Sequence, residues 1–158
     1  MDISLTKAKL EDAAIIHAMQ IKSFMPLLER YQDFDTNPAA EPLEKVIARI
    51  NQSFTDYYIV NNSGTPVGGI RIVKMENHRY RVSPIFILPE FQGNGFAQEV
   101  FRMVDRIYFD AITWELETIL QEPANCYLYE KLGYKTTGKT KFINSKMTLV
   151  SYEKRLDR

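Results

Sequence analysis

Three consecutive strand-like segments in the middle of the chain constrain the fold more than any other feature of the sequence. They cover residues 57–60, 67–73 and 80–88, and short polar stretches rich in turn-forming residues separate them. Short turns join strands that run antiparallel, because a parallel pair needs a long crossover. The sequence therefore predicts an antiparallel meander. Pro84 lacks an N–H group and predicts a bulge or a splayed edge in the last of these strands.

Helical periodicity flanks this meander on both sides. Asp12 resembles an N-cap before a first helix that Pro26 ends or bends, and Pro42 occupies the first position of a second helix over residues 42–50. The other predicted elements are a strand at 3–5, an amphipathic helix at 96–111, a strand at 114–119, a helix at 125–132 closed by Gly133, and a hairpin of 134–143 with 147–156. This order predicts a mixed α/β (α+β) domain and excludes a regular βαβ array.

Composition and charge narrow the class of protein. The 158 residues suit one domain, residues 1–158, and 20 basic side chains balance 20 acidic ones, which argues against a nucleic-acid partner. Apolar runs are about four residues long, too short for a membrane span, and the first residues lack the basic and apolar parts of a signal peptide. Cys126 is the single cysteine, so it has no disulfide partner in the chain and cannot form a CxxC metal motif. We expect a cytoplasmic protein with no metal site and no membrane contact.

A glycine-containing loop between the last meander strand and the amphipathic helix carries the clearest chemistry. Gly93 and Gly95 lie directly before the helix, where free backbone N–H groups and the helix dipole favour an anion. The loop is not a Walker motif, because no Gly-Lys-Ser/Thr follows, and it lacks the last glycine of GxGxxG. An ordinary glycine turn before a helix remains the alternative at this point.

Two motifs resemble the GCN5-related N-acetyltransferase (GNAT) superfamily. The run Gln92-Gly93-Asn94-Gly95-Phe96-Ala97 matches Q/R-x-x-G-x-G/A, that superfamily's coenzyme A pyrophosphate loop. The run Leu128-Tyr129-Glu130-Lys131-Leu132-Gly133-Tyr134 resembles its L-Y-E-K-x-G-F/Y segment, about 35 residues downstream. The resemblance covers nearly the whole chain. It implies a mixed, mostly antiparallel sheet with a splayed central strand pair and about four flanking helices.

The resemblance also implies an acetyl-CoA-dependent N-acetyltransferase that acts on a primary amine by direct attack in a ternary complex. The implied coenzyme-binding residues are Phe86, Ile87 and Leu88 on the splayed strand, the backbone N–H groups of Gly93, Asn94, Gly95, Phe96, Ala97 and Gln98, and Gln92 as support for the loop. The alternative function is a catalytically silent acyl-CoA-binding module with a regulatory or scaffolding role.

Tyr129 occupies the position of the family's tyrosine general acid, which protonates the departing coenzyme A thiolate. A buried tyrosine bonded to backbone is the alternative. The family's helix asparagine lies about seven residues earlier, where this chain has Glu122; Asn125 either faces the coenzyme or caps the helix after Pro123. Cys126 fits a small core residue better than a nucleophile.

The general base and the acceptor are less defined. Ser83 can hold a water molecule, and Glu117, which alternates with Glu115 on one face of the predicted strand, can reach the cleft or remain solvated or ion-paired. The loop after the first helix offers acidic and aromatic candidates for a cationic amine: Tyr31, Asp33, Phe34 and Asp35. A hydrated loop with one anchoring aromatic side chain is the alternative. The acceptor is a small molecule or a peptide amine, and a homodimer is left open.

Overall fold

Seven strands form one mixed sheet in the computed structural model, which describes residues 1–157. The strands are β1 (Ile3–Lys7), β2 (Thr55–Asn62), β3 (Thr65–Lys74), β4 (Arg79–Ile87), β5 (Thr113–Ile119), β6 (Lys135–Asn144) and β7 (Met147–Arg155). The helices are α1 (Ala13–Tyr31), α2 (Leu43–Asn51), α3 (Phe96–Ile107) and α4 (Pro123–Lys131). The strand order is β1-β2-β3-β4-β5-β7-β6. The predicted mixed, mostly antiparallel fold is confirmed.

The predicted meander is present as β2, β3 and β4, which pair antiparallel in sequence order. The β4–β5 pair is the parallel one of the described sheet, and it is short: Arg79 to Arg81 face Thr113 to Glu115. Beyond these residues β4 stays with β3 and β5 stays with β7, so the two central strands separate. The predicted splay is confirmed.

The register of β3 against β4 shifts between Ile70 and Ile72, beside Pro84. The predicted bulge is therefore present at the proline. Pro84 has no N–H to donate, and the Ser83 carbonyl is bonded instead by the Arg71 guanidinium, with Nη1 donating at 2.8 Å. A buried arginine side chain thus completes hydrogen bonding where the strand ladder is irregular.

Several helix boundaries differ from the sequence-based predictions; α2 begins at Leu43, with Pro42 at its N-cap rather than at its first position. Pro26 lies inside α1, which continues to Tyr31 because Leu28 and Tyr31 are both buried. α3 ends at Ile107 rather than at residue 111, and α4 begins at Pro123 rather than at residue 125. Asp12 makes no side-chain cap on α1; its carboxylate accepts from the Lys9 N–H at 2.8 Å. Burial of Leu28 and Tyr31 accounts for the extension of α1, and Pro123 at the start of α4 is a favourable first helical residue.

Helices cover both faces of the sheet. On one face α1 and α2 bury a cluster that reaches β2 and β4 and includes Ile16, Val46, Tyr57, Ile59 and Phe86. On the other face α3 and α4 bury a larger cluster that includes Val82, Val100, Trp114, Leu116 and Tyr129. No helix within residues 1–157 is long and apolar enough to cross a membrane.

Candidate active site

The separation of β4 from β5 opens a cleft of about 820 Å³. Its walls come from both strands, the loop after β4, the first turns of α3 and α4, and the C-terminal half of α1. The predicted site residues that line it are Asp33, Ser83, Phe86, Ile87, Gln92, Gly93, Gly95, Phe96, Ala97, Gln98, Glu117, Asn125 and Tyr129. The predicted site residues that do not line it are Tyr31, Phe34, Asp35, Leu88 and Asn94.

The loop before α3 presents a row of free backbone donors. None of the six N–H groups from Gly93 to Gln98 has an acceptor among residues 1–157; the flanking donors Gln92 and Glu99 bond to Pro89 and Gly95. Gly93 and Gly95 have φ angles of 78° and 80°, a left-handed conformation that side-chain-bearing residues rarely adopt. These donors at a helix start form a site suited to a phosphate group.

Two side chains hold this loop in shape. The Gln92 Nε2 donates to the Ile87 carbonyl at 2.8 Å and ties the loop to the end of β4. The Asn94 amide donates to the Phe91 and Gln92 carbonyls, both at 3.3 Å, so its side chain turns back into the loop. Gln92 therefore lies where a loop-supporting residue was predicted.

Leu88 does not fit the coenzyme contact predicted for it. Its N–H donates to the Val67 carbonyl at 2.8 Å, its carbonyl accepts from the Phe91 N–H at 2.9 Å, and its side chain is buried in the α1–α2 cluster. Ile87, which lines the cleft, and Phe86 are the two strand residues that remain in position. The difference arises because the Leu88 N–H is bonded to Val67 of β3 and its side chain packs in the α1–α2 cluster rather than in the cleft.

Tyr129 lies on α4 with its ring against Phe101 and Tyr134, at centroid distances of 5.8 and 6.0 Å. Its phenol oxygen has no hydrogen-bond partner among residues 1–157, so the alternative of a backbone-bonded structural tyrosine does not apply. Burial raises the pKa of Tyr129 to about 12, with a smaller contribution from Cys126. The cleft therefore contains a protonated, unpaired phenol.

Asn125 is the third residue of α4 and lies one helical turn before Tyr129 on the cleft side. Glu122 occupies the N-cap position, so the hypothesis that Asn125 caps the helix is wrong. The Asn125 carboxamide makes no hydrogen bond within residues 1–157 and is available to a ligand. Cys126 packs against the core and its thiol lies 3.7 Å from the Ile119 carbonyl, as expected of a core residue.

The acidic and aromatic loop after α1 does not form the cation-binding wall that the sequence suggested. Asp33 is buried, and its carboxylate accepts from the N–H and the hydroxyl of Thr36. Phe34 is 63% exposed and Asp35 is exposed, both outside the cleft. Short polar residues stabilise their own turn here, a local competition that residue type alone does not reveal.

Two further carboxylates line the cleft, and both are ion-paired. Glu117 on β5 accepts from Arg81 on β4 at 2.6 Å, across the point where the strands part. Glu122 accepts from Arg30 at 2.8 Å and from the Tyr31 hydroxyl, so Tyr31 contacts the cleft wall without lining the cleft. Glu115 pairs with Arg79 and Arg81 on the same sheet face as Glu117, as the predicted alternation requires.

The amino-acid sequence of the chain matches a known family. The sequence model described as acetyltransferase (GNAT) family matches residues 22–134, most of the chain. The protein belongs to the GNAT family of acetyltransferases. No curated protein sequence matches it.

Solved structures show the same fold at low identity to this GNAT chain. The PaiA N-acetyltransferase of Thermoplasma acidophilum in complex with coenzyme A is 15% identical, with a TM-score of 0.76 over 99% of this chain and 100% of that one. The ribosomal-protein-S18-alanine N-acetyltransferase of Escherichia coli is 10% identical, with a TM-score of 0.79 over 99% and 95%. The Vibrio cholerae spermidine N-acetyltransferase in complex with CoA and spermine is 17% identical, with a TM-score of 0.75 over 96% and 94%.

Three residues that line this GNAT cleft or contact its lining residues were not found from the sequence. Gly69 lies opposite Phe86, and a Cβ there would come within 2.6 Å of the phenylalanine ring; two adjacent glycines in a strand are the signal for such a close approach. Ser23 of α1 is a buried cleft-wall residue whose hydroxyl has no partner among residues 1–157. Arg71 carried no sequence signal, because its role depends on the bulge at Ser83.

Proposed function

We propose that this GNAT protein transfers the acetyl group of acetyl-CoA to a primary amine by direct attack in one ternary complex. The observation that carries the proposal is a single cleft that joins a row of free backbone donors to the unpaired phenol of Tyr129. Family membership supports an acetyltransferase, and the structural neighbours that contain coenzyme A or act on amines support both substrates.

The chain's own groups suit coenzyme A. The N–H groups of residues 93–98 would hold the pyrophosphate, and the strand residues Phe86 and Ile87 would lie beside the pantetheine arm. Asn125 offers a free carboxamide on the same wall. Backbone donors hold a polyanion without a surplus of basic residues, in agreement with the zero formal net charge.

Tyr129 is proposed as the general acid. The amine nitrogen forms a bond to the thioester carbonyl carbon, the carbon–sulfur bond breaks, and the phenol donates its proton to the departing sulfur. A pKa of about 12 keeps the phenol protonated at neutral pH, which is the state that an acid requires.

Glu117 is proposed to receive the proton that the amine loses. Of the three cleft carboxylates, Asp33 accepts two hydrogen bonds from Thr36 and Glu122 accepts from both Arg30 and Tyr31. Glu117 has Arg81 as its bonded partner, and it lies on the same face of β5 as Ile119, which packs against Tyr31 of α1; we take this α1 side as the acceptor side of the cleft. It is the carboxylate with the fewest competing donors.

Release of free thiol from acetyl-CoA against a panel of amines tests the proposal. We expect thiol release that requires an amine, with a mass gain of one acetyl group on that amine. Glu117→Gln is expected to lower kcat, and Gln98→Ala, which keeps the backbone N–H, should leave it nearly unchanged. Coenzyme binding without turnover on any amine would support the silent acyl-CoA module instead. The cytoplasmic location and a homodimer stay predictions.

A further inference from the structure

One positively charged side chain at the acceptor side of the cleft has no carboxylate partner among the described residues. Arg30, Arg81 and Lys141 are the cations that line the cleft. Arg30 pairs with Glu122 and Arg81 with Glu117, whereas Lys141 has no ion-pair partner among residues 1–157. The carboxylates that would attract a cationic acceptor are therefore already engaged, and the free charge at the cleft is a lysine.

Strand register places Lys141 on the acceptor side. Lys141 of β6 faces Leu149 of β7, which faces Ile119 of β5, and directly opposed residues of antiparallel strands project to the same face. Ile119 packs against Tyr31 of α1. Lys141 thus lies on the α1 face, whereas α3, whose first turn carries the free N–H donors, covers the other face.

The surrounding hairpin strengthens the positive field. Residues 131–146 contain no Asp or Glu and five lysines: Lys131, Lys135, Lys139, Lys141 and Lys146. None of the five forms an ion pair within residues 1–157 and all five are exposed, so the hairpin surface around Lys141 has a local excess of positive charge although the formal net charge of the chain is zero. Such a surface repels a polycationic amine and attracts an anion.

We infer that the acceptor of this cleft is an amine that also carries a carboxylate, and that Lys141 pairs with this carboxylate while the amine faces the acetyl group. The inference rests on the proposed acetyl transfer and names its substrate class. It replaces the cationic amine that the loop sequence suggested. The carboxylate can belong to a free amino acid or to an acidic peptide, and the test separates the two sources.

The test compares amines that differ in one carboxylate. The panel contains phenylalanine with phenylalaninamide, a C-terminally amidated acidic tripeptide with its neutral analogue, and spermidine. The enzymes are the parent, Lys141→Gln, Lys141→Glu, and Lys139→Gln as a control on the same hairpin but outside the cleft. We expect the parent to prefer the carboxylated member of a pair by about tenfold in kcat/KM, through KM. Lys141→Gln should remove this preference, Lys141→Glu should reverse it, and Lys139→Gln should keep it.

The results that would contradict the inference differ from those that would contradict the proposed function. A parent that favours amides or spermidine overturns the inference and leaves acetyl transfer intact. An equal loss of preference in Lys139→Gln overturns the assignment to Lys141. If no amine supports thiol release, the proposed function fails, and calorimetric titration with N-acetylphenylalanine in the presence of coenzyme A decides the anion site alone. Binding that Lys141→Gln weakens about tenfold supports the site, and absent or unchanged binding rejects it.

Discussion

The phenol of Tyr129 has two properties that rarely coincide in a protein interior. Its ring is packed among Phe101, Tyr134 and Tyr152, which fixes the side chain, yet its hydroxyl has no partner within residues 1–157. The fully buried side-chain atoms without a partner among the described residues are Ser23 Oγ, Arg71 Nε and Trp114 Nε1, so the Tyr129 hydroxyl is open to the cleft that it lines. An unpaired hydroxyl on a rigid ring at a cleft wall is therefore expected where a substrate atom completes the bond.

Replacing this hydroxyl tests its role with little change in packing. Tyr129→Phe is expected to lower kcat about a hundredfold or more, because a positioned acid contributes on that scale, with little change in the KM for acetyl-CoA. Steady-state kinetics with both substrates measures this. A variant that keeps the parent kcat would remove Tyr129 as the acid.

The raised pKa of Tyr129 determines how kcat should depend on pH. A free tyrosine loses its proton around pH 10, whereas burial keeps the Tyr129 phenol protonated up to a pKa of about 12. Because the protonated form is the active acid, kcat should show no decline assignable to Tyr129 between about pH 7 and pH 10. A falling limb near pH 8 in the parent that disappears in Tyr129→Phe would contradict the raised pKa of Tyr129.

At the scale of elements, the loop and the first turn of α3 act together. Gly95 has a φ of 80°, and a Cβ added there would meet only Met1, at 3.7 Å. A side chain at this position would therefore project into open space beside the free N–H donors rather than clash with the fold. The effect of this side chain on phosphate binding can therefore be measured separately from its effect on protein stability.

Gly95→Val is expected to weaken coenzyme A binding at least tenfold, because the side chain obstructs approach to the backbone donors. Gly64→Val is the matched control: its φ is 81°, it has nothing within 4 Å, and it lies in the β2–β3 turn away from the cleft. Both variants carry a left-handed strain of about 1–2 kcal/mol. Thermal unfolding measures the loss of stability in both variants, and calorimetry measures their binding of coenzyme A. If both variants lost the same amount of coenzyme A binding, the pyrophosphate would not bind at the loop before α3.

The irregular contact between β3 and β4 is bridged by the Arg71 guanidinium. Arg71→Met keeps an apolar stem but leaves the Ser83 carbonyl without its donor, which should destabilise the protein by about 1–3 kcal/mol. Urea unfolding measures this, with the exposed Arg155→Met as control. We also expect a higher KM for the amine, since Ser83 and Pro84 line the cleft. Unchanged stability would show that the bulge does not depend on the guanidinium.

Those parts of the fold that depend on a local sequence pattern were predictable from the sequence. Alternation and turns predicted the meander, Pro84 predicted a bulge or a splayed edge, and Gly93 with Gly95 predicted the loop geometry, whereas the splayed central pair was implied by the family resemblance. What depends on distant packing was not predictable. The first helix continued through Pro26 because Tyr31 packs on distant strand residues. Asp33 turned inward to bond Thr36, a local turn that residue type alone does not reveal. Ion pairs across strands, such as Arg81 with Glu117, likewise require the register to be known first.

At the scale of the whole molecule, the splay divides the sheet into two parts that must still hold together. At the narrow end of the cleft the short β4–β5 pairing joins them. At the wide end the last residue of α1 does so: the Tyr31 hydroxyl donates to Glu122, and the Asn144 amide donates to the Tyr31 carbonyl at 2.9 Å. The Tyr31 ring packs on Ile119 and Met147. Tyr31 thus links the helix over one part to the strands of the other.

Tyr31→Phe keeps this ring packing and removes the bond to Glu122. Because a hydrogen bond to a carboxylate contributes more than a neutral one, the end of α1 should open more often, with amide exchange over residues 27–37 about tenfold faster. We expect the KM for the amine to rise and coenzyme A binding to stay unchanged, since the free N–H donors lie on α3. Arg30→Gln, which removes the exposed partner of Glu122, should change exchange far less. If exchange accelerates equally in both variants, or in neither, the two parts of the sheet are held at the wide end by packing alone and the hydroxyl has no share in it.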